Sequence, residues 1–150
     1  MDSSLTQALF SAELQAFASG FPVMVLHLIA TLLLLEDQLC WMLGNGGMDF
    51  VTHRTATSSA LVYQWADNHP LATPFVAAEH RSPVVATIDF DPSVDAAQLA
   101  ADLRANGILD TEPYRKLGRN QLRIGCFASV DPQDVQALLS CIDWLLEQRS

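Results

Sequence analysis

The chain has 150 residues, half of them apolar, with 17 acidic against 8 basic side chains and a net charge of -9. That length suits one domain, or a small domain carrying a piece of a larger one, and the apolar share is ample for a packed core. The acidity excludes a broad basic surface, and with it nucleic acid or an anionic membrane as the general partner.

Residues 3–19 read as a first helix. Ser4 with Gln7 forms a capping box, Leu5, Leu9, Ala12 and Ala16 share a face, and Gly20 and Pro22 punctuate the end. The strongest hydrophobic run, Phe21–Leu35, is closed by Glu36 and Asp37. At about fifteen residues it falls short of the roughly 20 that span a bilayer. No Lys or Arg precedes Arg54, so the basic start of a signal peptide is missing. The expected element is a helix over Val23–Leu43, buried on most sides by surrounding protein. Gly44, Asn45, Gly46 and Gly47 stop it and form the expected hinge. A third helix is expected over 48–68, with Phe50, Ala60, Val62, Tyr63 and Trp65 for packing, before Pro70.

The texture then changes. "SPVVATIDFD" is β-branched and predicts a strand over 84–90. Asp91-Pro92 is expected to open a helix carrying Val94, Leu99 and Leu103 that stops at Asn106-Gly107. "ILD", 108–110, can form a short strand, and "QLRIGCF", 121–127, alternates as another. Asp131-Pro132 opens a last helix that buries Val135, Leu138, Leu139, Ile142 and Leu146. The fold class is α+β, with helices on one sheet face. Cys40, Cys126 and Cys141 have no CxxC spacing and read as reduced thiols of a cytoplasmic protein, with Cys126 and Cys141 as core residues. His27, His53, His69 and His80 are scattered, so no metal site is expected.

Half of the cations, Arg115, Lys116, Arg119 and Arg123, fall in "PYRKLGRNQLR", residues 113–123. By composition such a stretch is a solvated loop; the alternative is that it holds an anion. Arg81, before a strand, reads as a surface residue, and Asp89, Asp95 and Asp110 as caps, turns and surface.

"IATLLLLEDQLCWMLGNGGMDF", "RTATSSALVYQWADNHPLATPFV", "RSPVVATIDFD" and "LRANGILDTEPYRKLGRNQLRIGCF" together resemble phosphoserine aminotransferase of the actinobacterial type. The resemblance covers about residues 29–148, and only the carboxyl-terminal third or so of the family's chain. It implies the small domain of a fold-type-I pyridoxal-phosphate aminotransferase, preceded by a helical segment. The implied division is 1–28 as an unrelated-looking helical N-terminus, 29–68 as the end of the large domain and the interdomain helix, and 69–150 as a small α+β domain. The family is a cytoplasmic homodimer that transfers an amino group between glutamate and 3-phosphohydroxypyruvate, making phosphoserine for serine biosynthesis. By resemblance Arg123 clamps the substrate carboxylate, Arg115 stands on the phosphate side, and Lys116 and Arg119 add only field. The expected partners are a small phosphorylated amino or keto acid and a second copy of the chain.

What the family needs and this chain lacks is equally informative. Transamination through pyridoxal phosphate requires a lysine for the imine. The single lysine, Lys116, stands in the basic stretch, whereas the family's lysine belongs to the large domain. Where relatives carry a polar "TYNTPA"-like stretch, this chain has Val23, Met24, Val25, Leu26, His27 and Leu28. The expectation is a truncated copy that neither binds the cofactor nor catalyses alone, with no catalytic residue of its own. The rival reading is a non-catalytic domain for small-anion binding or dimerisation.

Overall fold

The computed structural model describes residues 11, 12, 15, 23–114 and 117–149. The helix expected over 3–19, with its Ser4–Gln7 cap, therefore lies outside the described residues except at Ser11, Ala12 and Gln15, as do Arg115 and Lys116. The chain divides into two compact units, one ending at Met48 and one starting at Asp49.

Helix α1, Val23–Gly44, dominates the first unit. Its apolar side chains are not buried as expected: Leu28, Ile29, Leu32, Leu34, Leu35 and Leu39 are all exposed. The residues are apolar around the whole circumference, so no single face can be satisfied by one neighbour. The apolar stretch is also longer than the run ending at Leu35 suggests. Helix geometry continues through Glu36 and Asp37, and Val25–Gly44 is long and apolar enough to cross a membrane by length and composition. The helix ends where Gly46 and Gly47 take positive φ, 116° and 65°, which a side chain would resist. Helix α2, Gly47–Asn68, follows at once.

The second unit is built on a three-stranded antiparallel sheet in the order β1 (Ala72–Pro74), β2 (Val85–Phe90), β3 (Gln121–Gly125). Strand β1 replaces the strand expected at 108–110. Those residues instead finish helix α3, Ala96–Ala105: Gly107 adopts φ 84° and the Ile108 amide reaches back to Leu103 O at 3.0 Å. That left-handed cap satisfies the carbonyls at the helix end and turns Ile108 towards the core.

Asp91-Pro92 does not open α3. The Asp91 amide still pairs with Leu71 O, and its carboxylate accepts from the Ser93 amide and hydroxyl at 2.9 and 2.7 Å, closing a turn. With that carboxylate occupied, capping falls to Asp95, which accepts from the Gln98 amide at 3.0 Å. The other Asp-Pro pair behaves as expected. Asp131 caps α4, Pro132–Glu147, by accepting from the Gln133 amide at 2.9 Å, with Pro132 in the first turn.

Alternation decides which side of the sheet is covered. Ala86 and Ile88 on β2 and Leu122 and Ile124 on β3 are buried, and they pack with Val62 and Ala66 of α2, Leu99 and Leu103 of α3, and Val135, Leu139 and Ile142 of α4. Leu138 is only partly buried, and Cys141, expected in the core, is exposed because it falls on α4's outer face; Cys126 is buried. Burial pushes the Cys126 thiol up to about 11. Arg81 is a surface brace: it donates two 2.7 Å hydrogen bonds to Asp67 and lies over the Tyr63 ring.

Candidate functional site

The opposite face of the sheet carries the charge. Cross-strand register pairs Thr87 with Arg123 and Asp89 with Gln121. All four residues have the opposite parity to the buried leucine and isoleucines, so their side chains stand on the side away from the core. Arg123 is exposed at the middle of β3. Its amide donates to Thr111 O at 3.0 Å, which ties the edge strand to the preceding segment.

The entry to β3 is held by Asn120. Its side-chain amide donates to Asp91 O and Val94 O at 3.2 and 2.7 Å, and its Oδ1 accepts from the Ala96 amide at 3.0 Å. Its backbone carbonyl accepts from the Phe90 amide at 2.9 Å. The residues on either side, Arg119 and Gln121, are thereby fixed relative to β2.

Both of them engage Asp89. Gln121 Nε2 donates to Asp89 Oδ1 at 2.7 Å; Arg119 Nε donates to both carboxylate oxygens at 3.2 Å, and Arg119 Nη2 donates to Oδ2. The Arg119 guanidinium lies 4.6 Å from the centre of the Phe75 ring, a cation–π contact that fixes its plane. Burial pulls the Asp89 pKa up, but the hydrogen bonds from Arg119 and Gln121 and the Arg119 charge outweigh it, and the carboxyl sits below its usual range. Arg119 is therefore a paired residue, not the source of loose field that the resemblance implied. No comparable partner of the Arg123 guanidinium is found among the described residues.

The hollows of the second unit lie elsewhere. One, of about 380 Å³, is lined by Trp65, His69, Leu71 and Asp143. There Trp65 Nε1 donates to Asp143 Oδ1 at 2.7 Å, the Trp65 and His69 rings stack at 5.0 Å, and the Leu71 amide donates to His69 Nδ1 at 3.2 Å. These contacts latch α2 to α4. A second hollow, of about 400 Å³, is lined mainly by apolar residues including Ile108, Val130, Val135 and Leu138. Arg123 lines neither; it stands on an open face. Among the described residues no three His, Cys, Asp or Glu side chains converge as metal ligands would.

The described residues do not fit pyridoxal phosphate. No lysine is among them, since Lys116 is the sequence's single lysine, so no amine is available for the imine. The N-termini of α3 and α4, where a phosphate would gain most from the helix dipole, are occupied by the carboxylates of Asp95 and Asp131.

The second unit is an α+β structure of the kind found within aminotransferases. Among solved structures the chain resembles the phosphoserine aminotransferase of Bacillus circulans subsp. alkalophilus, with a TM-score of 0.67 and 18% identity over 73% of this chain and 30% of that one. It also resembles a phosphoserine aminotransferase structure recording radiation damage of the Schiff base, with a TM-score of 0.70 and 16% identity over 89% of this chain and 37% of that one. These likenesses show the fold. No family model matches the chain.

Sequence likeness is more particular. The chain is 60% identical over 121 residues, 80% of its length, to the phosphoserine aminotransferases of Rhodococcus opacus and Rhodococcus jostii. The resemblance to phosphoserine aminotransferase therefore holds over four-fifths of the chain. The match takes in 32% of each of those proteins, so the chain spans about a third of the length of the curated relatives it matches.

Sequence reasoning singled out Arg123 and missed the Asp89–Arg119–Gln121 cluster beside it. The signal was present: Asp89 in "TIDF" and Arg119, Gln121 and Arg123 in "RNQLR" all fall on the non-core parity. The register sets Asp89 against Gln121 with an arginine on either diagonal, and only the side-chain hydrogen bonds tell which of the two the carboxylate meets.

Proposed function

We propose that this chain is a substrate-binding part of a phosphoserine aminotransferase, with Arg123 as the anchor for the carboxylate of a phosphorylated amino or keto acid. Arg115, on the resemblance, is assigned to the phosphate side. The observation that carries this reading is the contrast on the sheet face away from the core: Asp89 is taken up by Arg119 and Gln121, while the guanidinium of the exposed Arg123 has no side-chain partner among the described residues. A guanidinium held on a strand, with its donors uncommitted, suits two parallel hydrogen bonds to a carboxylate.

The chemistry of the whole-length relatives, amino transfer to 3-phosphohydroxypyruvate with pyridoxal phosphate, needs an imine-forming lysine. The chain alone binds without catalysing, in the cytoplasm. A phosphoserine-dependent rise in melting temperature, abolished by Arg123→Ala, is the expected result; an equal rise in the variant overturns the assignment. Pyridoxal phosphate followed by borohydride reduction and mass mapping is expected to leave Lys116 unmodified. A reduced adduct at Lys116 would overturn the non-catalytic reading.

A second reading, self-association, is favoured by the exposed apolar side chains of α1. Helices apolar all round associate to escape water. Sedimentation velocity is expected to show a species of twice the monomer mass, and a monomer at all concentrations removes this reading.

A further inference from the structure

Asp89 stands between two arginines. Gln121 is directly opposite it across the β2–β3 ladder, and Arg119 and Arg123 lie two residues to either side of Gln121. Diagonal neighbours on one face of an antiparallel pair are roughly 7–8 Å apart, within reach of a long side chain. Asp89 is thus a fixed carboxylate within diagonal reach of Arg123, and a pair between them would neutralise the arginine. In the structure the carboxylate is turned the other way. Arg119 takes both of its oxygens, Gln121 takes Oδ1 as well, and the Phe75 ring supports the Arg119 guanidinium from one side.

We infer that Arg119 is a positioning residue: by occupying Asp89 on one diagonal it keeps Arg123, on the other, free to receive an anion. The purpose of this arrangement rests on Arg123 being the anion anchor proposed above, whereas the pairing itself does not. Three features make the choice one-sided. Asn120 pins the backbone beside Arg119 to the turn after β2. Gln121, fully buried, holds the carboxylate in the plane that Arg119 meets. Arg119 stacks on Phe75, and among the described residues Arg123 has no such ring contact. The other side chains on this face beside Asp89 are Thr73, opposite it on β1, and Thr87, two residues away on β2 itself, neither of them charged.

The test is a cycle of Asp89 side-chain titrations by carboxyl NMR, in the full chain and its Arg119→Gln, Arg123→Gln and doubly substituted forms. Arg123→Gln alone is expected to leave the Asp89 midpoint in place. Arg119→Gln raises it, and adding Arg123→Gln to that background raises it further, by about half a pH unit, because the released carboxylate has by then turned to Arg123. A rise for Arg123→Gln alone as large as that for Arg119→Gln overturns the inference, and so does strict additivity of the two changes. Should Arg119→Gln not fold, the same cycle run with Arg119→Lys, which keeps the charge but loses the two-point grip, decides it. A ligand arm separates this from the function reading. With phosphoserine, Arg119→Gln is expected to weaken binding about two- to fivefold, and Asp89→Asn in that background to restore it. Loss without restoration marks Arg119 as merely structural. No binding by the unsubstituted chain defeats the proposed function, while the titration cycle still decides the pairing.

Discussion

Leu122 and Arg123 are consecutive residues on one strand, and they belong to different problems. The face that holds Leu122 is covered by three helices and carries the second unit's stability. The face that holds Arg123 leaves that residue exposed and carries hydrogen-bonded charge. One strand serves both because side chains alternate, so a cation costs the core nothing if it falls on the right parity. The backbone that places the charged residues is shared with the packed side, so their Cα positions are set by the core beneath them.

The largest expected effect comes from the covered face. Leu122→Ala empties a fully buried site and is expected to cost about 2–5 kcal/mol in urea unfolding, with the slope retained. A loss under about 1 kcal/mol would mean the two faces are not distinct in energy. The neighbouring Arg123→Ala is expected to leave unfolding within about 0.5 kcal/mol of the unsubstituted chain, while removing the phosphoserine-dependent melting shift. If stability falls as much as for Leu122→Ala, Arg123 is a structural residue and the contrast fails.

Smaller effects sharpen the boundary. Asp67 and Asp89 both have folded-state pKa values below the usual range. Asp67 is lowered first by the Arg81 hydrogen bonds; at Asp89 burial acts upward but is outweighed by Arg119 and Gln121. Their contribution is fully present above the unfolded carboxylate value, about 4, and is lost as pH falls through the depressed folded values. Melting temperature is thus expected to hold steady from about pH 7 to 5 and then drop, with a shallower drop in Asp89→Asn. The smallest effect is kinetic. At pH 8 the exposed Cys40 and Cys141 are expected to react quickly with a thiol reagent, and Cys126, buried with its thiol pushed up to about 11, only on unfolding. Rapid labelling of all three would show that the covered face opens readily.

Much of this was legible from residue order. Alternation in "VATIDF" and "QLRIG" marks β2 and β3 and sorts their side chains into two sets. Asp131-Pro132 is a complete helix start because cap and first turn are neighbours in sequence. Asp91-Pro92 looks the same, yet its carboxylate closes a turn with Ser93 while its amide still pairs with Leu71, a contact that local sequence does not reveal. "ILD" has strand propensity, but the helix end at Gly107 uses Ile108 as its cap.

By itself the sequence determined the α+β class, the parity of the residues in β2 and β3 and the resemblance to phosphoserine aminotransferase, since periodicity and motif identity are properties of residue order. The tertiary structure alone decided that Asp89 meets Arg119 and not Arg123, that Arg81 grips Asp67, and that Leu28, Leu32 and Leu35 of α1 are exposed. Those outcomes depend on cross-strand register and on which surfaces find a neighbour, and both are set by contacts between residues distant in the chain.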